Sequence, residues 1–294
     1  MKRTGIALVF ASVIRAAAAS QSVVPPDQFA PGRRIYEARC ARCHGIAGDG
    51  RGRYAAELDT PPADFTRGVF KFRSTPSGSL PTDDDLMRVL ERGLRGTAML
   101  PWPGLSRTEK QAVIAYVKTF SEWFEEVEQA EPVAIPSPSA SSEELVRRGR
   151  VLYNQAGCAK CHGPEGGGDG LRAAELTDDV GRPIWPTDFT RGLLKTGADV
   201  SGVYRTIRTG LDGTPMPSYG EAYDAQQLWA LSYYVRSLGP GWPDWGRGMT
   251  GMMGMMGMRG IMMSGFATPD ERRGMHIEMM GMGGMGMGRM GRSP

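Results

Sequence analysis

Residues 40–44 read Cys-Ala-Arg-Cys-His, and residues 158–162 read Cys-Ala-Lys-Cys-His. The two stretches lie 118 positions apart and hold all four cysteines of the 294-residue chain. Cys-x-x-Cys-His is the attachment signature of c-type haem, in which both thiols add to porphyrin vinyl groups and the adjacent imidazole reaches the iron. Two Cys-x-x-Cys pairs also suit a four-cysteine zinc site or a thioredoxin-like redox pair. A zinc site leaves both histidines unexplained, and a thioredoxin needs a βαβ context that the helical pattern here does not offer.

The surrounding sequence is duplicated as well. Gly32 to Tyr36 precedes the first motif as Gly149 to Tyr153 precedes the second, and Gly48-Asp49-Gly50 and Gly168-Asp169-Gly170 follow them. Ala55 to Leu58 then matches Ala173 to Leu176, Asp64 to Gly68 matches Asp188 to Gly192, and the halves close on Gly-Thr-Ala-Met and Gly-Thr-Pro-Met. A unit repeated at 117–124 residues predicts two similar domains. The stretch Glu-Pro-Val-Ala-Ile-Pro-Ser-Pro-Ser-Ala-Ser-Ser-Glu-Glu between them lacks apolar periodicity and reads as an extended linker. The expected divisions are a leader at 1–20, domains at 30–127 and 143–240, a linker at 128–142 and a tail at 241–294.

The fold class is all-α. Gly32 to Arg39 and Glu143 to Asn154 read as helices leading into the motifs, the latter with a capping box from Ser141 to Glu144. Thr82 and three aspartates open a helix to Arg92, because a hydroxyl cap and first-turn carboxylates satisfy free amides and oppose the helix dipole. Ser106 and Glu109 cap what reads as the longest helix, whose apolar face is Val113, Ile114, Tyr116, Val117 and Phe120. Leu228, Leu231, Tyr234, Val235 and Leu238 repeat that face in the second half.

His44 and His162 supply one axial position at each iron. The third histidine, His276, is the last in the chain, so two-histidine ligation of both irons is excluded within one chain. Methionine is the remaining candidate. Met99 and Met216 follow their histidines by 55 and 54 residues, in loops where Gly and Pro aim a thioether from outside a helix. Met87 is the rival in the first half, but its helical neighbours Leu86, Val89 and Leu90, and Tyr204 at the matching position, make it a packing residue. A His/Met pair closes the iron and raises its potential relative to harder ligands.

Gly-x-x-x-Tyr before Cys-x-x-Cys-His, a Gly-Thr-x-Met loop and an aromatic last helix together resemble class I cytochrome c, as a tandem dihaem protein over residues 30–125 and 145–240. The resemblance implies that first and last helices cross near the haem, bringing Gly32 and Tyr36 to Tyr116, and Gly149 and Tyr153 to Tyr234. The Asp-Phe-Thr-Arg-Gly segments are similar to dihaem cytochromes that accompany bacterial respiratory enzymes.

Residues 1–22 have a basic start and an apolar run too short to span a bilayer, which takes roughly 20 residues. They read as a secretory leader, which places the protein in the periplasm or on the outer face of the cytoplasmic membrane, with no transmembrane helix in the mature chain. The net charge of +3 excludes a nucleic-acid binder. Residues 31–120 carry fifteen basic and ten acidic groups, whereas 121–144 carry seven acidic and no basic ones. Fifteen of the nineteen methionines follow residue 248 amid glycine. That tail reads as low-complexity, with Cu(I) binding by thioethers as the minor expectation.

No paired carboxylates, phosphate loop or nucleophile and base stand out. The expected function is single-electron transfer between redox protein partners on two haem c groups. The alternatives are a dihaem peroxidase, a cytochrome subunit of a dehydrogenase or oxidase complex, and a copper protein acting through its tail.

Overall fold

The computed structural model describes residues 28–197 and 199–241. The leader and the methionine-rich tail, with the leader cleavage and Cu(I) expectations attached to them, lie outside the described residues. Nine helices are described: α1 (Ala30–Arg39), α2 (Ala41–His44), α3 (Asp83–Arg92), α4 (Arg107–Lys118), α5 (Trp123–Glu126), α6 (Glu143–Gln155), α7 (Ala159–His162), α8 (Val200–Thr209) and α9 (Ala225–Ser237). Among the described residues the only strand-like pairing is an isolated antiparallel bridge between Thr177 and Pro183. The chain is all-α.

Capping follows the sequence closely, with two differences. Thr82 and Asp85 form a reciprocal box at α3, as Ser106 and Glu109 do at α4. At α6 the cap is Ser142, whose side chain accepts from the Leu145 amide, instead of Ser141. Asp224 and Gln227 form a further box at α9. Helix α4, at 12 residues, is shorter than α6 and α9 at 13 each, because α9 begins at this unforeseen cap and α6 runs on to Gln155.

In each half the first long helix crosses the last, α1 on α4 and α6 on α9. A β-carbon on Gly32 would overlap the Ala112 carbonyl, and one on Gly149 would overlap that of Ala230, so only glycine permits these crossings. Tyr36 and Tyr116 pack edge to face at 5.4 Å, and Tyr153 and Tyr234 at 5.2 Å. Both expected encounters occur.

Two hydrophobic clusters result. One joins Tyr36, Met87, Leu90, Val113, Ile114 and Val117. The other is built on Val146, Tyr153, Tyr204, Leu228, Leu231 and Tyr234, and α9 is buried over far more than one face. Helix α8 covers part of it, with Tyr204 against Trp229 at 4.2 Å, and the linker covers more. Its Ile135 packs on the second cluster, the Tyr233 hydroxyl donates to the Ser139 carbonyl at 2.5 Å, and the Val133 amide donates to the Ser74 carbonyl at 2.8 Å. The extended stretch is a strap fastened to both halves.

Asp85 holds the first half's inter-helix loop. Its side chain accepts from the Ser74 amide at 2.8 Å, the Ser74 hydroxyl at 2.9 Å and Arg88 at 2.7 Å. Burial raises its affinity for a proton, but these bonds with that from the Thr82 amide outweigh burial and hold the carboxyl below the usual carboxylate range. Asp85→Asn is expected to cost about 2–3 kcal/mol, measured by denaturant unfolding at neutral pH. A carboxyl depressed in the folded state stabilises above its unfolded pKa and loses that contribution as pH falls through the folded value. The wild-type excess over Asp85→Asn should therefore shrink only below about pH 4. An excess that disappears at higher pH would contradict this account.

Candidate haem centres

The cysteine motifs each form one helical turn. The Cys43 and His44 amides donate to the Cys40 carbonyl at 3.1 and 3.0 Å, and those of Cys161 and His162 donate to Cys158 at 3.2 and 2.8 Å. No disulfide forms, and burial pushes the Cys40 and Cys158 thiols up to about 11.

Each histidine is fixed on its far side. His44 Nδ1 lies 3.1 Å from the Ala63 carbonyl oxygen, and His162 Nδ1 lies 3.1 Å from that of Thr187. Only a protonated Nδ1 can donate there, which leaves Nε2 as the free, ligand-capable nitrogen. Burial lowers the proton affinity of both rings and keeps them neutral. The rings stack on Phe65 at 4.6 Å and on Phe189 at 4.4 Å. Those phenylalanines are presented by the repeated Asp-Phe-Thr-Arg-Gly segments. Asp64 Oδ1 accepts from the Thr66 amide at 3.0 Å and its hydroxyl at 2.6 Å, and Asp188 does the same with Thr190 at the same distances. The repeat was visible in the sequence, but its role in backing the imidazole was not.

The methionine loops are built alike. The Thr97 hydroxyl donates to the Leu94 carbonyl at 2.8 Å and accepts from the Met99 amide at 3.1 Å. Thr214 donates to Leu211 at 2.7 Å and accepts from Met216 at 3.2 Å. The Leu94 and Leu211 amides donate to the Met99 and Met216 carbonyls at 2.8 and 3.0 Å. Each loop crosses the end of α3 or α8 at a left-handed glycine, Gly93 or Gly210, where a β-carbon would run into the loop backbone. Three residues on, the Trp102 and Tyr219 amides donate to Leu90 and Ile207 at 2.8 and 3.0 Å, tying the loop back to its helix. Cys40, Met99 and Trp102 pack against the first cluster, and Cys158 and Tyr219 against the second. Met216 is half-buried on its matching loop.

Several buried donors have no partner: Arg73 Nη1, Trp102 Nε1, Arg205 Nε, Arg208 Nε and Trp229 Nε1. Arg73, Arg88, Arg92, Arg205 and Lys71 line a cleft where the two halves meet. Burial pushes the proton affinity of Lys71 down there, and burial and the charge of Lys71 do the same to Lys195. Of this lining, Arg73 Nη1 and Arg205 Nε are the buried donors without a partner, and such donors suit an anion. Haem c carries propionates, and its thioether bonds consume a pair of free thiols. The residues present fit that group.

A duplicated helix crossing, a Cys-x-x-Cys-His turn with an oriented imidazole and a tied methionine loop define a tandem class I cytochrome c. Residues 146–239 match the cytochrome c family, and residues 27–117 match cytochrome c oxidase, cbb3-type, subunit III. A solved chain of the Kuenenia stuttgartiensis reducing HAO-like protein complex Kustc0457/Kustc0458 is 42% identical, with a TM-score of 0.69 over 71% of this chain and 95% of that one. The cbb3-type cytochrome c oxidase subunit CcoP of Azospirillum sp. (strain B510) is 24% identical over 72% of this chain, and FixP of Azorhizobium caulinodans 26% over 72%. The chain spans 62% and 60% of the length of these two relatives. It belongs to the dihaem class I cytochromes c, which hold haem c covalently and carry electrons.

Among the described residues no helix is long and apolar enough to cross a membrane, and no His, Cys, Asp and Glu cluster is placed to hold a further metal ion.

Proposed function

We propose that His44 with Met99, and His162 with Met216, are the axial pairs of two haem irons held through Cys40 and Cys43 and through Cys158 and Cys161. The chain then works outside the cytoplasm as the dihaem electron-carrying subunit of a larger redox assembly, with domains at 30–127 and 143–240 and the linker at 128–142. Haem c, when bound, supplies an iron that takes up and releases one electron at a time. The residues do the rest. Ala63 and Thr187 hold the Nδ1 protons, Phe65 and Phe189 brace the rings, and the tied loops offer a thioether that keeps water and peroxide away. The observation that carries the reading is the duplicated threonine-tied loop, identical in its bonds around Met99 and Met216. Assembly membership is supported by the relatives, which are named as oxidase subunits and as part of an HAO-like complex.

In the ferric protein a weak near-infrared band marks sulfur-to-iron ligation. Met99→Ala should remove the first haem's share of that band and admit carbon monoxide to the reduced iron. Met99→His should keep the site closed but lower its potential, because a harder nitrogen ligand favours the ferric state. Rapid carbon monoxide binding by the unmodified reduced protein would show an open iron and overturn the ligand assignment at that haem. It would also put a peroxidase-type enzyme first.

A further inference from the structure

The loop carrying Met216 is gripped from the first half of the chain. Arg73 is the gripping residue, with its side chain wholly buried. Its Nη2 donates to Asp212 Oδ1 at 2.8 Å and to the Thr209 carbonyl, the last residue of α8, at 3.0 Å. The Ser77 hydroxyl donates to the same Oδ1 at 2.8 Å, and the Gly78 amide donates to Oδ2 at 2.9 Å. Asp212 lies four residues before Met216 and opens the loop that presents it. The Asp179 amide adds a bond to the Gly213 carbonyl at 3.2 Å.

The first half has no equivalent carboxylate. The position matching Asp212 is Arg95, which is exposed, and its bond across the interface is a long backbone contact, from its amide to the Lys195 carbonyl at 3.3 Å. The two methionine loops share their threonine ties, and the Met216 loop differs in the Arg73–Asp212 pair that reaches it from the first half and in the Asp179 bond from its own half.

We propose that Arg73 and Asp212 are positioning residues that lock the Met216 loop from the neighbouring domain, so that the second haem's methionine resists displacement while the first haem's yields more readily. The inference rests on the axial role of Met216 stated above. A thioether leaves an iron only if its loop moves away. Moving this loop pulls Asp212 from Arg73, and a fully buried guanidinium without its carboxylate is costly. The Met99 loop meets no such barrier. Of the two irons, the first is the one that opens under challenge by an outside ligand.

The test uses the full ferric dihaem protein, with imidazole as the displacing ligand and the near-infrared sulfur-to-iron band as the readout. The unmodified protein should lose its band in a fast and a slow phase. Met99→Ala should delete the fast phase and Met216→Ala the slow one, which assigns them. Asp212→Asn should speed the slow phase by about tenfold or more, the scale expected when a buried charge loses its partner, and leave the fast phase unchanged. Ser77→Ala removes one exposed donor to Asp212 and should give a smaller acceleration of the slow phase alone, which decides the matter if Asp212→Asn does not fold. Arg147→Gln, which removes an exposed contact to Glu144 within α6, should change neither phase. A slow phase unmoved by the Asp212 and Ser77 variants, or both phases moving equally, overturns the lock. Both phases surviving in Met216→Ala would instead overturn the ligand assignment on which the lock rests.

Discussion

The double substitution Cys40→Ala with Cys43→Ala is expected to leave one covalent haem per chain in place of two, carried by the second half. All four cysteines sit in the two motifs, and no disulfide competes for them. The second half keeps its own hydrophobic cluster, its own Tyr153 bond to the Gly163 carbonyl at 2.8 Å and its own methionine loop, none of which involves Cys40 or Cys43. Haem content from the reduced absorbance of the denatured protein, checked by intact mass, measures the outcome. Two covalent haems in the variant would refute the attachment assignment, and none would mean that the halves depend on each other for folding.

Gly149→Val is the second large effect. A β-carbon at Gly149 would overlap the Ala230 carbonyl and come within 2.7 Å of Tyr234 Cβ, so α6 and α9 must separate to admit it. Ordinary overpacking costs about 1–3 kcal/mol, but here the obstacle is backbone, which cannot rotate aside. Losses beyond about 4 kcal/mol belong to this kind of change. The variant is expected to unfold in the second half and to lose the haem held at Cys158 and Cys161. The haem at Cys40 and Cys43 should be retained. Thermal unfolding followed at the haem absorption, with haem content, reads both. A melting temperature within a few degrees of the parent would mean that the crossing is looser than described. Gly32→Val should produce the mirror result, since Gly32 meets Ala112 and Tyr116 in the same way.

Much of the centre was legible in the chain because it depends on residue type and spacing. The cysteines and the histidine must be adjacent to serve one group, so five residues announce it. Repetition then separated Met99 and Met216 from Met87, which is buried in the first cluster. The crossing of α1 on α4 and of α6 on α9 was implied by the family resemblance that Gly-x-x-x-Tyr before each motif helps to carry. Caps were legible where side chain and amide are neighbours, as at Thr82 and Ser106. Where two serines adjoin, at 141 and 142, local sequence did not choose between them, and the path of the incoming strap did.

The rest is made by contacts between residues far apart in the chain, which no local pattern encodes. Phe65 and Phe189 looked like landmarks of a repeat until folding laid them under the imidazoles. The linker, with no apolar periodicity, gave no sign that Ile135 would pack on the second cluster or that Ser139 would accept from Tyr233 on α9. Arg73 and Asp212 are 139 positions apart, and each alone reads as an ordinary solvated charge. The sequence by itself determined two haem-binding helical units and the candidate ligands proposed for each iron, because those depend on neighbours within a turn or a repeat. Only the tertiary structure decided that the units are strapped and interlocked, and that one methionine loop is held across the interface by a buried charge pair. Which charges become buried together is fixed by how two finished surfaces meet.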